Sequence, residues 1–178
     1  TNVNFHDQAI CKMTEAVRKE KERLIPQCSS CGSPCGQNEE YDMKELWTEE
    51  ENIRSLKSLI LFGIRGMAAY AYHALVLGYK DEEVNEFFCE ALFRIGYEDT
   101  VEKLLPVVLK VGEINLKCMA LLDKANTETY GVPAPVTVPL KVEKGPFIVV
   151  TGHDLKDLKL LLEQTEGKGI NIYTHGEM

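Results

Sequence analysis

Two short stretches near the end of the chain place imidazole and carboxylate side chains where they could share a ligand. Gly152-His153-Asp154 directly follows FIVVT, and His175-Gly176-Glu177 closely follows INIYT. An imidazole and a carboxylate brought together can bind a metal or work as an acid and base pair. A third group, Cys28, Cys31 and Cys35 in CSSCGSPC, has the C-x2-C-x3-C spacing that can put three sulfurs on one metal, with Cys11 available as a fourth. Three cysteines without an obvious fourth ligand are more often only a reducible loop. His153 has a plain reading too, as a turn residue between a turn glycine and a helix N-cap, Asp154.

The elements that must position these residues follow from periodicity. FIVVT and INIYT are short, β-branched runs, and HDLKDLKLLLEQTEG between them is an amphipathic helix capped by Asp154 and stopped at Gly167. Strand, helix and strand joined by tight turns make a βαβ unit with parallel strands. The residues just past both strands then emerge on one carboxyl edge, which is where open α/β sheets bind ligands. Two strands and one helix cannot bury both faces of a sheet. Residues 147–178 therefore read as the truncated start of an α/β domain, cut from a longer protein, with an exposed edge through which two copies could pair as a homodimer.

Upstream the pattern is helical. Ile10, Met13, Val17 and Leu24 form a stripe in 7–25, ended by Pro26, and residues 26–46 read as a Cys-rich loop. Thr48 with Glu51 is a capping-box signature for a helix reaching Leu77, with Gly78 as its stop. Residues 81–95 open with three acids at a helix N-terminus, and 99–125 form a further helix with a break or kink expected at Pro106. Cys89 and Cys118 fall on apolar helical faces and read as buried thiols. Tyr70, Tyr72, Phe87 and Phe88 read as core, and Gly63 and Gly66 as points of close helix packing. Arg65 is left open between an interior ion pair and a cofactor-facing role. The predicted fold is mainly α: a helical bundle domain over 1–130, a Pro- and Gly-rich linker over 131–146 with a short strand at 136–142, and the first βαβ unit of an incomplete Rossmann-like α/β domain over 147–178.

Composition narrows the class of function. The 178 residues are 44% hydrophobic and 27% charged, with a net charge of −8 and no basic patch. A nucleic-acid or anionic-membrane surface needs clustered Lys and Arg, so neither partner is expected. The apolar stretch SLILFGIRGMAAYAYHALVLG is interrupted by Arg65 and His73, which suits an amphipathic helix better than a membrane span. Six unevenly spaced cysteines and no opening signal sequence point to a cytoplasmic protein with metal or redox roles.

GHDLKDL, LLEQTEG and YTHGEM in close succession, preceded by TYGVPAP and RSLKSLILFGIRGMAAYAYHALVLG, resemble the hybrid cluster proteins, also called prismane proteins, the family of the hydroxylamine reductases. The likeness is strong over residues 48–178, and TNVNF resembles part of the same family's first helical domain. Carbon monoxide dehydrogenases share the general architecture, but the GHDL and THGEM wording favours the hybrid cluster family. The resemblance implies an N-terminal helical domain, two α/β domains, and a four-iron cluster bridged by sulfur and oxygen where they meet. It further implies that His153, in GHDL, and Glu177, in HGEM, are ligands of that hybrid iron–sulfur–oxygen cluster. The family's other ligands, several cysteines and a second glutamate, lie downstream, and the cysteines of its conventional iron–sulfur cluster lie upstream. No complete cluster and no turnover are then expected of this chain alone.

The reaction so implied is reduction of hydroxylamine by a cytoplasmic enzyme with an electron-donor protein, nitric oxide being the rival small nitrogen-oxide substrate. Thiolates suit iron–sulfur bonding, while imidazole and carboxylate suit an iron that also holds and exchanges oxygen. His175 reads as a neighbour of the ligands or as a surface histidine. An alternative of another class is a helical interaction module with a zinc staple in the Cys loop.

Overall fold

The computed structural model of the chain describes residues 6–26, 42–176 and 178. Among these residues the elements follow in the order α1 (Asp7–Leu24), a 3-10 turn (Glu45–Thr48), α2 (Glu51–Val76), α3 (Glu82–Tyr97), α4 (Val101–Tyr130), β1 (Phe147–Thr151), α5 (Leu155–Thr165) and β2 (Asn171–His175).

Apolar residues three and four apart build the bundle. Ile53, Ile60, Ile64, Met67 and Ala74 line the buried face of α2, Val84, Phe87, Ala91 and Ile95 that of α3, and Leu104, Val107, Ile114, Cys118 and Ala125 that of α4. This 3-4 alternation keeps one seam of each helix turned to its neighbours. Each fully buried side chain such as Phe87 or Ile60 contributes about 1.5–3 kcal/mol relative to exposure. Lys57 falls on the same stripe and is buried, and its ammonium lies 2.6 Å from the Glu49 carboxylate. A buried cation needs such a partner. Among the described residues, α2 alone is long and apolar enough to cross a membrane, with a mean hydropathy of 1.4 in its most apolar window. The central helix of a bundle has the same composition.

The helix ends explain where the sequence expectations shift. Thr48 does not cap α2: its hydroxyl donates to the Glu45 carbonyl at 2.9 Å and closes the 3-10 turn that carries the buried Leu46 into the core. Glu50 is the N-cap instead, accepting from the amides of Asn52 and Ile53. Gly78, at φ +91°, ends α2 as expected, and Asp81 caps α3 through the Val84 amide. Pro106 does not break α4, and the helix does not end near 125. Leu104 and Val107 beside the proline are both buried, and their packing outweighs one lost backbone bond; the helix runs on to Tyr130, with Ala125 still in its buried seam.

Other expectations are corrected too. α1 forms, but it buries none of its residues, so the stripe of Ile10, Met13 and Val17 does not join the bundle core. No strand forms at 136–142, where Pro139 lacks an amide donor and Leu140 is 98% exposed. Cys118 is buried but Cys89 is exposed, since it lies two residues from both Phe87 and Ala91 and so faces away from the α3 seam. Of the four aromatics only Phe87 is fully inside; Phe88 is half-buried, and Tyr70 and Tyr72 are exposed. Arg65 is exposed over the Phe62 ring, 5.7 Å from its centroid.

The βαβ unit is as expected. β1 and β2 pair in parallel, from Phe147 opposite Asn171 to Thr151 opposite His175, and Asp154 caps α5 through the Asp157 amide at 3.0 Å. Phe147 and Val149 remain well exposed on this two-stranded sheet.

Candidate functional site

Parallel pairing sends both strands toward one edge, and the chemistry-bearing residues follow from it. His153 stands two positions past the end of β1, and Glu177 two positions past the end of β2. Gly152 makes the exit from β1 at φ +135°, a conformation that favours glycine. A side chain built there would meet the Met178 methyl at 3.8 Å, so the residue after Glu177 in the chain lies against the His153 turn. Glu177 itself lies outside the described residues, as do Cys28, Cys31 and Cys35.

His153 is exposed on the rim of a cleft of about 490 Å³ between the βα turn and the carboxyl ends of α2 and α4. Tyr70 and His73 from α2, with Asn126 and Tyr130 from α4, supply the opposite wall. His73 Nδ1 is 3.8 Å from Asp154 Oδ2, and the Lys156 ammonium donates to the Val76 carbonyl at 3.0 Å. Burial, and secondarily the Asp154 charge, push the Tyr130 phenol above its ordinary range, which keeps it a neutral hydrogen-bond donor. His175 is exposed at the end of β2, with Nδ1 3.5 Å from the Thr151 hydroxyl.

The sequence pattern assigns no role at this edge to His73, Asn126 or Tyr130. Asn126 and Tyr130 are four residues apart and thus share a helix face, but only the tertiary fold shows that this face meets the βα turn. Cys11 is exposed on α1, and among the described residues no three His, Cys, Asp or Glu side chains converge as a metal site. The donor chemistry at the edge leaves room for a share of a metal's ligand shell: two imidazoles, His153 on a glycine-led turn and His73 on α2, line one cleft. It does not fit a closed site built from the described residues alone.

A sequence profile of the Prismane/CO dehydrogenase family matches residues 1–178. The chain is 43% identical over 189 aligned positions to the hydroxylamine reductase of Maridesulfovibrio salexigens, covering 100% of this chain and 35% of that protein. It is 52% identical over 139 positions to the hydroxylamine reductase of Methanocella arvoryzae, covering 75% of this chain and 25% of that protein. It is 50% identical over 145 positions to hydroxylamine reductase 2 of Clostridium acetobutylicum, covering 78% of this chain and 26% of that protein. The chain thus spans about a third or less of the length of these curated relatives. With the family profile matched along its whole length, the chain belongs to the Prismane/CO dehydrogenase family.

Proposed function

We propose that this chain is the part of a cytoplasmic hydroxylamine reductase that carries His153 and Glu177 as two ligands of a hybrid iron–sulfur–oxygen cluster. The observation that carries the reading is the position of His153, exposed at the carboxyl edge of a parallel strand pair and facing a cleft, in a chain 43–52% identical to proteins named hydroxylamine reductase. When bound, the cluster would supply electrons and an open iron position. The balance is NH2OH + 2e⁻ + 2H⁺ → NH3 + H2O, with the electrons delivered by a donor protein.

The chain's own residues have definable parts in this. The His153 imidazole must be neutral at the nitrogen that meets iron, and Glu177 supplies the harder oxygen donor. Tyr130, held protonated, faces the same cleft and offers a hydrogen-bond donor to a small N–O molecule. Two protein ligands do not hold a four-iron centre, so the 178-residue chain alone is inactive on this account, and the full-length protein carries a second, conventional iron–sulfur cluster.

The test is anaerobic oxidation of a reduced viologen dye by hydroxylamine, in the full-length protein and its His153→Ala and Glu177→Ala variants at matched iron content. Turnover should fall by about two orders of magnitude or more, the scale at which a group essential to the reacting centre is lost. Undiminished turnover in His153→Ala would remove that residue from the centre. A parent protein that reduces nitric oxide but not hydroxylamine would overturn the substrate assignment alone.

A further inference from the structure

Resting on the reading of His153 as an iron ligand, we propose that two tethers to the carboxyl end of α2, from Asp154 to His73 and from Lys156 to the Val76 carbonyl, hold the turn that aims the imidazole. His73, Asp154 and Lys156 are then positioning residues for His153.

The need for such support is visible in the fold. His153 follows a glycine at positive φ, on an exposed turn of a sheet with two strands. That backbone has wide freedom unless something outside the sheet restrains it. A metal-binding imidazole works only when its ring direction is fixed by its surroundings.

Both tethers use an end of α2 that is chemically prepared for them. The last carbonyls of a helix lack intrahelical partners. At α2 the Ala74 carbonyl accepts from the amides of Leu77 and Tyr79, and the Leu75 carbonyl accepts from Gly78. The Val76 carbonyl accepts from the Lys156 ammonium at 3.0 Å, and a cation there also suits the negative end of the helix dipole. Asp154 divides its two carboxylate oxygens: Oδ1 accepts from the Asp157 amide at 3.0 Å and starts α5, while Oδ2 lies 3.8 Å from His73 Nδ1 on the last turn of α2. The two residues sit one and three positions past His153, so the same short segment that carries the imidazole is fastened to the bundle 80 residues away in sequence.

Asp154→Asn separates the two jobs of Asp154, because asparagine caps a helix as well as aspartate but replaces the carboxylate oxygen nearest His73 with an amide group. Lys156→Met keeps the aliphatic stem and removes the donor. Amide hydrogen exchange of the 178-residue chain should quicken roughly three- to tenfold at Asp157 and Leu158, whose amides donate to Asp154 at the end of the turn, in each single variant, the range for losing one exposed polar contact. It should quicken further in the double variant, return toward the parent rate in Lys156→Arg, and stay unchanged at the core amides of α2 and α4. Unchanged exchange at the turn in the double variant, or equal quickening in the core, would overturn the tethers. In the reduced full-length protein labelled with 15N-histidine, the double variant should also broaden the distribution of imidazole nitrogen coupling to the cluster. Failure here is separable from failure of the ligand reading. Coupling that survives His153→Ala removes His153 as a ligand whatever the exchange rates; coupling lost in His153→Ala, with turn exchange unmoved in the double variant, removes only the tethers.

Discussion

Cys89 and Cys118 sit in similar apolar helical runs, yet their surroundings make them different reagents. Burial pushes the Cys118 thiol up, with the Asp81 charge a second cause, and its sulfur contacts the Met67 carbonyl at 3.5 Å. Because the thiolate is the reactive form, iodoacetamide at about pH 8 should label Cys11 and Cys89 in the native chain and Cys118 only in denaturant, as read by peptide mass mapping. Native labelling of Cys118 at the rate of Cys89 would contradict the packing of α4. Glu98 gives a pH-dependent counterpart. Its carboxylate lies 3.0 Å from the Lys103 ammonium and accepts from Arg94 at 2.7 Å, and these partners, Lys103 first, hold its pKa below the ordinary 4.5. A depressed folded pKa means stability that is complete above the unfolded value and lost as pH falls through the folded one. Glu98→Gln should therefore lower the urea midpoint at neutral pH and converge on the parent in strong acid; a constant offset at every pH would exclude the ion pairs as the cause. Of the residues lining the cleft, His153 stands out through its place just past a β-branched run and the GHDL resemblance, the turn pattern alone leaving it a plain turn histidine. His73 and Tyr130 do not, because a polar residue on a helix shows its role only once the neighbouring element is known.

Helices and strands follow closely from the spacing of apolar residues, and the departures have local causes. The seams of α2, α3 and α4 are visible as three- and four-residue intervals, but the 3-10 turn before α2 depends on the burial of Leu46, which no capping pattern encodes. The strand expected at 136–142 fails because alternation without a pairing partner does not make a strand. Gly63 and Gly66 read alike in sequence and differ in the fold. A methyl group on Gly63 would lie 2.7 Å from Val111 Cγ1, whereas at Gly66 nothing lies within 4 Å. Val111 is β-branched and stiff in a helix, so α2 and α4 must part to admit the methyl. Gly63→Ala should cost about 1–3 kcal/mol in urea unfolding, with much of it recovered by adding Val111→Ala. Gly66→Ala should stabilise by about 0.5–1 kcal/mol, the ordinary gain of replacing a helical glycine. A stabilising Gly63→Ala would show that the helices do not approach closely there.

At the level of the whole molecule, a helical bundle supplies one wall of a cleft and a parallel strand pair supplies the imidazole on the other. The bundle closes its own core, while the strand pair leaves Phe147 and Val149 well exposed and is linked to α2 through Asp154 and Lys156. This division explains why sequence periodicity reaches the fold class but stops short of the cleft: the bundle and the βαβ unit each have a local signature, and their contact has none. The central claim of the proposal is that the histidine after β1, His153, and not the one that ends β2, His175, belongs to the iron centre. Pulsed electron paramagnetic resonance on the reduced full-length protein, labelled with 15N-histidine, tests it directly. The account predicts an imidazole nitrogen coupling to the cluster that persists in His175→Ala and disappears in His153→Ala. A coupling that survives in His153→Ala would place the ligand elsewhere and contradict the assignment of this edge as the metal-binding one.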